Sequence, residues 1–461
     1  MLDDQEHDDA LPEDGDYELD RDTFRPIKAA LEAEDPVALA ELLDPMHPAD
    51  IADLMEQLHD DERTMLVQLY GREFDGDILS ELAEGLREDV VDAMAPEVLA
   101  EAVRELETDD VVDLIEDLDQ PQTEAVLDAL DDDDRVVVEQ SLTYPEESAG
   151  RLMQRELVVA PEHWNVGQTI DFLRNQDDLP EQFYHVILVD PRMRPIGYVT
   201  LGRLMGSPRE MAMTAIVEES FRTIPVLQDE AEVAYAFNQY HLISAPVVDA
   251  SDRLVGVITI DDAMVILDEE HEEDILRLAG VGESNLSDRV VDTTKRRFPW
   301  LAVNLVTSIL ASLVIAQFDA VITQFVALAV LMPIVASMGG NAGTQSLTVA
   351  VRALATKDLT SANVWRVIRR EAAVGLINGV IFAGVMGVIG ILWFGTPILG
   401  VVIGVAMVVN LVVAGLAGII IPVTLERLDI DPALASGAFV TTVTDVVGFF
   451  AFLGLAAVML L

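Results

Sequence analysis

The stretch TTVTDVVGFF, residues 441–450, lies inside the last apolar run of the chain and places Asp445 where lipid would be its solvent. A central aspartate costs about 2.5–3.5 kcal/mol on membrane-insertion scales. Thr441 and Asp445 are four residues apart and so share one face of a helix. No basic residue lies within the apolar segments to pair with Asp445. The stretch therefore predicts a carboxylate that meets a mobile cation, either a metal ion or a proton; the alternative is a protonated carboxyl bonded across a helix interface.

Charge divides the chain into two parts. The net charge is -54 in 461 residues, yet the mean hydropathy is +0.31. From Phe298 onward the sequence has seven acidic and six basic residues, so almost all of the negative charge precedes Phe298. This acidity argues against nucleic-acid binding, which needs a basic surface. Most of these acids are expected to form a solvated surface suited to high salt, and a few to bind cations.

Five apolar segments follow Arg297, and each reaches the ~20 residues that a helix needs to span a bilayer. They lie at about 298–318, 321–350, 372–394, 398–422 and 433–461. Basic residues precede the first segment (TKRR, 294–297) and fill the second and fourth connections. The positive-inside rule then predicts a multi-pass protein of the cell membrane, with its N-terminal domains in the cytoplasm and its C-terminus outside.

The second segment contains VLMPIVASMGGNAGTQS, residues 330–346, in which Pro333 and paired glycines interrupt the apolar run. Irregular backbone at membrane depth is tolerated where it lines a cavity, and its carbonyls would be oxygen ligands. The pattern therefore predicts a broken span. The alternative is close helix packing through small residues, with polar side chains bonded across helices.

The part before the membrane segments shows two further patterns. Residues 50–69 and 110–130 share the spacing of short amphipathic helices, which indicates an internal helical repeat. Two strand–strand–helix patterns follow, at 184–204 and 243–267, about 59 residues apart. This plan resembles a tandem pair of CBS domains, the modules named after cystathionine beta-synthase.

The CBS resemblance carries a nucleotide signature, Gly-x-x-Thr-x-x-Asp. Gly256, Thr259 and Asp262 meet it in the second copy, whereas the first copy has Thr200 but Arg203 in the aspartate position. In that family the aspartate commonly holds a ribose and the threonine approaches phosphate. Thr200 and Thr259 are therefore the candidates for contacting ATP, and Arg203 argues against tight binding in the first copy.

An acidic run, LDEEHEEDIL, residues 267–276, follows the second copy. Like charges three and four residues apart destabilise a helix, and divalent cations would relieve their repulsion. A short helix at about 284–297 is then expected to lead into the membrane and to transmit changes there.

The order of these parts resembles the MgtE family of magnesium transporters, and GGNAGTQS, VRALATKDL and TTVTDVVGFF look like its hallmark stretches. The resemblance implies an all-α superhelical N-terminal domain, α/β tandem CBS domains and a polytopic α-helical membrane domain. The expected boundaries, in order, are an acidic disordered tail, the helical repeat domain, the CBS pair, a connecting (plug) helix and five membrane helices: 1–21, 22–145, 146–278, 279–297 and 298–461.

What the resemblance implies for function is a homodimeric, magnesium-selective, channel-like transporter rather than an enzyme. Asp445 matches the central pore aspartate, and the other pore positions are Gly340, Asn341, Thr344 and Thr441. The positions that match regulatory magnesium ligands are Asp229, Asp262, Glu270, Glu273, Asp274 and Asp431. His241 and Val265 stand where relatives can carry acids, so the regulatory set is expected to be reduced or rearranged.

Two alternatives remain at this stage. The chain could be a membrane-anchored CBS nucleotide sensor that transports nothing, although an anchor does not need Asp445. It could also transport a divalent cation other than Mg²⁺. Mg²⁺ keeps several waters and uses one or two carboxylates, which suits one Asp445 from each of two subunits. The chain has no cysteine, and no histidine cluster favours a softer metal.

Overall fold

The computed structural model describes residues 21–461, except 177–178, 181–182, 219–220, 282–289 and 429. Its chain divides into two compact units, Met1–Asp268 and Glu269–Leu461. Most of the expected acidic tail, residues 1–20, lies outside the described part. So does 282–289, most of the expected connecting segment before Val290.

The first unit opens with ten short helices whose apolar stripes meet in one core. Proline at the first turn and acidic or histidine caps begin several of them, as at Asp35–Pro36 and His47–Pro48. The helices are α1 Arg21–Glu32, α2 Pro36–Leu43, α3 Pro48–Gln57, α4 Asp60–Tyr70, α5 Asp77–Glu81, α6 Glu84–Ala93, α7 Pro96–Glu105, α8 Thr108–Glu116, α9 Gln120–Ala129 and α10 Asp132–Ser141.

The predicted helical repeat is visible in two helix pairs. α3 and α4 occupy the first copy, and α8 and α9 occupy the second, with the break between helices at the same relative place. Corresponding apolar positions are buried in both copies: Leu54 and Met55 in α3, and Leu114 and Ile115 in α8. The predicted all-α N-terminal domain is confirmed.

Two three-stranded sheets follow, each with one parallel and one antiparallel pairing. The last two strands of each sheet are offset by the predicted 59 residues. The first sheet contains β1 Val159–Pro161, β2 His185–Val189 and β3 Pro195–Thr200, and the second contains β4 Ile224–Pro225, β5 Ser244–Val248 and β6 Leu254–Thr259. The associated helices are α11 Val166–Asn175, α12 Leu201–Gly206, α13 Glu230–Tyr240 and α14 Ile260–Leu278. The tandem α/β arrangement is confirmed.

The second unit contains five helices long and apolar enough to cross a membrane, as predicted. Residues 290–297, the last part of the expected connecting helix, are the first two turns of the first of these helices and are continuous with a span, whereas residues 279–281 are not helical. The membrane helices are α15 Val290–Ala316, α17 Ala327–Ala355, α18 Val364–Phe394, α19 Pro397–Glu426 and α20 Pro432–Leu460, and a short helix, α16 Asp319–Gln324, lies between the first two.

The prediction of a broken second span is wrong. α17 runs through Pro333 and the paired glycines as one helix from Ala327 to Ala355. Proline removes a single N–H donor, and an intact helix keeps the remaining backbone groups bonded where lipid offers no partner. Gly339, the first of the paired glycines, instead allows a close contact with α19, whereas a Cβ at Gly340 would meet nothing within 4 Å; helix packing through small residues was the alternative interpretation.

Glycines also line the contact between α18 and α19. A Cβ at Gly400 would lie 2.7 Å from the Gly387 carbonyl oxygen, and one at Gly375 would lie 2.5 Å from the Leu411 carbonyl oxygen. Between these points, a Cβ at Gly379 would lie 2.9 Å from the Cα of Val408. The two backbones are therefore in contact along most of their length, in the small-residue packing that membranes favour.

Candidate functional site

One face of α17 carries polar groups at helical spacing. Asn341 and Thr344 are exposed and Gly340 is partly exposed. The Asn341 Nδ2 donates to the Ser337 carbonyl oxygen at 2.9 Å, and the Thr344 hydroxyl donates to the Gly340 carbonyl oxygen at 3.0 Å. The structure thus aligns the three predicted α17 residues on one stripe, but as ordinary helix rather than as freed carbonyls.

The opposite face of α17 fixes where this stripe lies. Gly339 and Gly343 are buried there, and a Cβ at Gly343 would come within 2.6 Å of Val440 on α20. A Cβ at Gly339 would collide with the side chain of Asn410 on α19. Asn410 is fully buried and donates to the Val335 carbonyl oxygen at 2.8 Å. Sequence reasoning missed Asn410, although a lone amide within an apolar span was a usable signal.

Asp445 follows directly after this helix contact. Its neighbour Thr444 is fully buried, and the Thr444 methyl would lie 3.5 Å from a Cβ at Gly343. The Thr444 hydroxyl donates to the Thr441 carbonyl oxygen at 3.0 Å, and the Thr441 hydroxyl donates to the Gly437 carbonyl oxygen at 2.9 Å. The hydroxyl groups of this stretch are therefore satisfied within α20.

The Asp445 carboxylate itself is half-buried. Among the residues that the structure describes, none forms a hydrogen bond or an ion pair with it. The protonated carboxyl bonded across a helix interface, the alternative considered above, is thus not seen within the described chain. A membrane carboxylate without a protein partner is suited to a cation that comes and goes.

A second candidate site lies in the first unit, where α8 meets the start of α14. The Thr108 hydroxyl donates to Glu156 Oε1 at 2.6 Å, and Gln154 donates to Glu107. Asp109 is buried, its Oδ2 has no partner among the described residues, and its carboxylate is repelled by that of Asp262. These contacts gather five carboxyl groups at one junction: Glu107, Asp109, Asp110, Glu156 and Asp262. We call this group the junction cluster.

Burial and mutual repulsion raise the pKa values of Glu107, Asp109, Asp110 and Asp262. Burial is the largest cause in each case. It raises the pKa of Glu107 to about 7 with help from Glu156, and the pKa of Asp110 to about 8 with help from Asp262. The pKa of Asp262 rises to about 6, and that of Asp109 rises well above its usual range. A bound cation would remove the repulsion that these protons now relieve.

Sequence reasoning selected Asp262 from this cluster and missed the other members. Acids at a helix start are common, because they favour the positive end of the helix dipole. ETDD, residues 107–110, therefore reads as an ordinary helix start before α8. Its burial arises from packing against a distant part of the chain, which local pattern does not reveal.

A third group lies in the second unit, between the end of α14 and the start of α20. Arg277 pairs with Glu273, and its Nη1 lies 3.2 Å from Asp431 Oδ2. Burial, and then Asp431, raise the pKa of Asp274. The structure thus brings three predicted regulatory residues together, around an arginine that sequence reasoning left out. We call Glu273, Asp274, Arg277 and Asp431 the membrane-side cluster.

The remaining predicted regulatory residues are placed differently. Asp229 is exposed, and its carboxylate caps α13 by accepting the Glu232 N–H at 3.3 Å. Glu270 is partly buried on α14, one turn before Asp274. In the part of the chain that the structure describes, no three His, Asp or Glu side chains are arranged to hold a metal ion. The clusters therefore have the chemistry for hydrated Mg²⁺, which needs only one or two carboxylates, but not a closed cage.

The cleft between the CBS copies is nearly filled. His185 Nδ1 and Ser244 Oγ, equivalent positions in the two copies, are hydrogen-bonded inside it. The remaining cavity is about 20 Å³, against ~300–1,000 Å³ for typical ligand pockets. The Thr259 hydroxyl donates to Asp262 Oδ2 at 2.6 Å. In the first copy, Arg203 Nη1 forms an ion pair with Glu218 Oε2 at 3.2 Å. Thr200 caps α12 by accepting the Arg203 N–H at 3.3 Å.

Family models match three parts of the chain. Residues 46–147 match the MgtE intracellular N domain. Residues 213–269 match the CBS domain. Residues 332–455 match the MgtE divalent cation transporter model. The matches follow the order helical domain, CBS domain and membrane domain.

Three curated relatives are each described as the magnesium transporter MgtE. The protein of Thermus thermophilus is 32% identical over 440 residues, which cover 94% of this chain and 98% of the relative. The protein of Enterococcus faecalis is 33% identical and covers 69% of this chain and 71% of its own length. The protein of Bacillus subtilis is 27% identical, and the match covers 90% of this chain and 92% of the relative.

Two solved structures resemble the soluble part. One is the cytosolic domain of the Mg²⁺ channel MgtE in complex with ATP, 29% identical, with a TM-score of 0.49; the match covers 53% of this chain and 99% of that chain. The other is the soluble part of a magnesium transporter, 25% identical, with a TM-score of 0.48; the match covers 54% and 98%.

Proposed function

This chain belongs to the MgtE family of magnesium transporters, and on that premise we propose that it conducts Mg²⁺ across the cell membrane past Asp445. The observation that carries the proposal is the half-buried Asp445 carboxylate, which has no partner among the described residues and adjoins the contact between α17 and α20. A carboxylate in this position attracts a cation without a competing internal positive charge.

The functional unit proposed is a homodimer with its pore between two copies. The polar stripe of α17, with Asn341 and Thr344, is uncovered in the single chain. Lipid offers such groups no hydrogen bonds, so a second copy and a water-filled path are better neighbours. Thr441 lies on the same face of α20 as Asp445, and Gly340 and Thr344 lie on the polar stripe of α17. Two Asp445 carboxylates with these groups would hold a hydrated ion loosely enough to release it.

The proposed orientation places the soluble domains in the cytoplasm and the C-terminus outside. It is supported by the distribution of basic residues, since all six beyond Phe298 lie in the two connections α17–α18 and α19–α20 or at the helix ends beside them. Positive charge at these connections favours the cytosolic side.

Cytosolic Mg²⁺ is proposed to close the pore by binding at the junction cluster and the membrane-side cluster. Without a cation, ionised carboxylates in each cluster repel one another, as the raised pKa values indicate. A cation stabilises the arrangement in which the carboxylates are close, and it shifts the equilibrium by its differential affinity for that arrangement. The transported ion would then limit its own entry.

ATP is proposed to bind weakly or not at all. The cleft holds the His185–Ser244 hydrogen bond and little free volume, and Arg203 replaces the first-copy aspartate. The ATP complex of the related cytosolic domain makes this a point for direct measurement. Transport of another divalent cation is the second candidate, because the matching family model is described as a divalent cation transporter.

The test is ion flux into liposomes that contain the purified full chain. Asp445→Ala should abolish Mg²⁺ uptake while the protein still elutes as a dimer, and Asp319→Ala, at an exposed acid of the same unit, should leave uptake unchanged. Wild-type uptake by Asp445→Ala would show that Asp445 is a packing residue. Parallel assays with Mn²⁺, Co²⁺ and Ca²⁺ would rank the cations, and absence of all flux in the wild type would favour the nucleotide-sensor alternative.

A further inference from the structure

The second unit has a cavity of about 440 Å³ where the ends of α17, α18 and α19 meet. Its volume is within the ~300–1,000 Å³ of small-molecule sites. Leu359, Val364 and Val423 form its floor, and all three are buried in one apolar cluster. Lys357, Arg427, Thr360 and Ser361 line it closer to solvent and are exposed. The cavity therefore combines an apolar base with a polar, basic mouth.

The loop that forms the mouth is held by its own hydrogen bonds. Lys357 has a positive φ of 56° and ends α17, with its N–H bonded to the Leu354 carbonyl oxygen at 2.9 Å. The Asn363 side chain accepts the Thr360 N–H at 2.9 Å and donates to the Asp358 carbonyl oxygen at 2.7 Å. The loop shape is thus set before any ligand arrives.

The same bonds leave the start of α18 without a side-chain cap, because Asn363 is occupied by the loop. A helix of 31 residues begins at this edge of the cavity, and the positive end of its dipole favours an anion. The hydroxyl groups of Thr360 and Ser361 line the same edge. These donors, the two cations and the helix start all favour an oxyanion.

Charge distribution points the same way. In a chain of net charge -54, all six basic residues beyond Phe298 lie in or beside the two connections that frame this cavity. The cavity lining contains one acidic residue, Glu426, and two basic residues, Lys357 and Arg427, so its formal charge is positive. Basic pockets between membrane helices on the positive side are typical of sites for anionic lipid headgroups.

We infer that this cavity binds the phosphate group of an anionic phospholipid. Lys357 and Arg427 balance the phosphate charge, Thr360 and Ser361 donate hydrogen bonds, and the floor of Leu359, Val364 and Val423 accommodates the first carbons of an acyl chain. Free inorganic phosphate shares the headgroup chemistry but has no group for the apolar floor. The inference is independent of the conduction role of Asp445.

The experiment measures the melting temperature of the detergent-purified full chain with phosphatidylglycerol, phosphatidylcholine or potassium phosphate. Phosphatidylglycerol should raise Tm by about 3 °C or more relative to phosphatidylcholine, as expected for a ligand that binds only the folded protein. Lys357→Gln/Arg427→Gln should lose this shift. Arg366→Gln/Arg369→Gln removes two charges from the same region outside the cavity lining and should keep it.

A second variant, Ser361→Asp, adds an anion at an exposed position at the mouth of the cavity and should also lose the Tm shift. It replaces Lys357→Gln/Arg427→Gln in the comparison if that double variant is unstable. A shift with phosphatidylglycerol alone identifies the lipid as the source, and an equal shift with potassium phosphate identifies free phosphate. Equal Tm values with the two lipids and no effect of phosphate would overturn the inference. So would an equal loss in the Arg366→Gln/Arg369→Gln control, since that would show diffuse attraction rather than a site.

Discussion

Arg277, near the end of α14, forms an ion pair with Asp431, which directly precedes α20: the Nη1–Oδ2 distance is 3.2 Å. The same arginine pairs with Glu273 on its own helix. An internal cation therefore already joins carboxylates that the family resemblance predicts to be regulatory magnesium ligands. Mg²⁺ bound there would have to share or displace Arg277.

Replacing Arg277 by glutamine should strengthen the response to Mg²⁺. The competing cation is removed, and a partly exposed ion pair of about 0.5–1 kcal/mol corresponds to about a two- to fivefold lower half-effective Mg²⁺ concentration. Limited proteolysis of residues 268–297 over a Mg²⁺ titration measures this. Metal-free Arg277→Gln should be cut faster than the wild type.

The matched control for Arg277→Gln is Arg253→Gln, which removes an exposed arginine–aspartate pair, Arg253–Asp249 at 2.9 Å, in the second CBS copy. It should leave the titration unchanged. Proteolysis that ignores Mg²⁺ in the wild type would contradict the gating proposal while leaving the transport proposal intact. The response should also weaken in molar salt, because screening reduces carboxylate repulsion.

The junction cluster makes metal-free stability depend on pH. Its pKa values in the folded protein, about 6 for Asp262, about 7 for Glu107 and about 8 for Asp110, lie above those of the unfolded chain. The folded protein therefore keeps protons that the unfolded chain has released. The stabilising contribution is complete below about pH 4 and is lost as the pH rises through the folded values.

With divalent cations removed by a chelator, the full chain should accordingly have a lower melting temperature at pH 8.5 than at pH 6. Added Mg²⁺ should reduce this difference in melting temperature. Asp109→Asn/Asp110→Asn should flatten the metal-free profile and lose the Mg²⁺ effect. Asp53→Asn, at an exposed position of α3, should do neither. A metal-free Tm that rises between pH 6 and pH 8.5 would contradict the repulsive cluster.

The contact between α17 and α19 should not tolerate a methyl group. Gly339→Ala places its Cβ against the buried Asn410 side chain, and overpacking of this kind costs about 1–3 kcal/mol. We expect a lower Tm in detergent and reduced Mg²⁺ flux, because the polar face of α17 is displaced. Gly384→Ala, which meets nothing within 4 Å, should match the wild type in both measurements. Unchanged Tm for Gly339→Ala would argue that this contact is loose.

Calorimetry with ATP should give no saturable binding below millimolar concentrations. The physical reasons are the filled cleft at His185 and Ser244 and the engagement of Asp262 by Thr259 and the junction cluster. Micromolar affinity that Thr259→Ala abolishes would overturn this prediction and make the second copy the nucleotide site. His163→Ala, at an exposed histidine of the first copy, controls for non-specific effects.

Local pattern was sufficient for the elements of the fold. The period of apolar residues predicted the helical repeat, the 59-residue duplication and the five spans. The lone acid in the last span made Asp445 the candidate for the pore, and its role there stays a prediction. Pattern failed at Pro333, because lipid makes an intact helix better than a broken one. It also failed at Asp109 and Arg277, whose roles depend on contacts with residues far away in sequence.

The glycine contact between α18 and α19 has a consequence for motion. Two backbones that touch at Gly375, Gly379 and Gly400 have no room to slide or rotate past each other without collision. This antiparallel pair should act as a stationary frame. Rearrangement during conduction is then left to α15, α17 and α20, of which α17 carries the polar stripe and α20 carries Asp445.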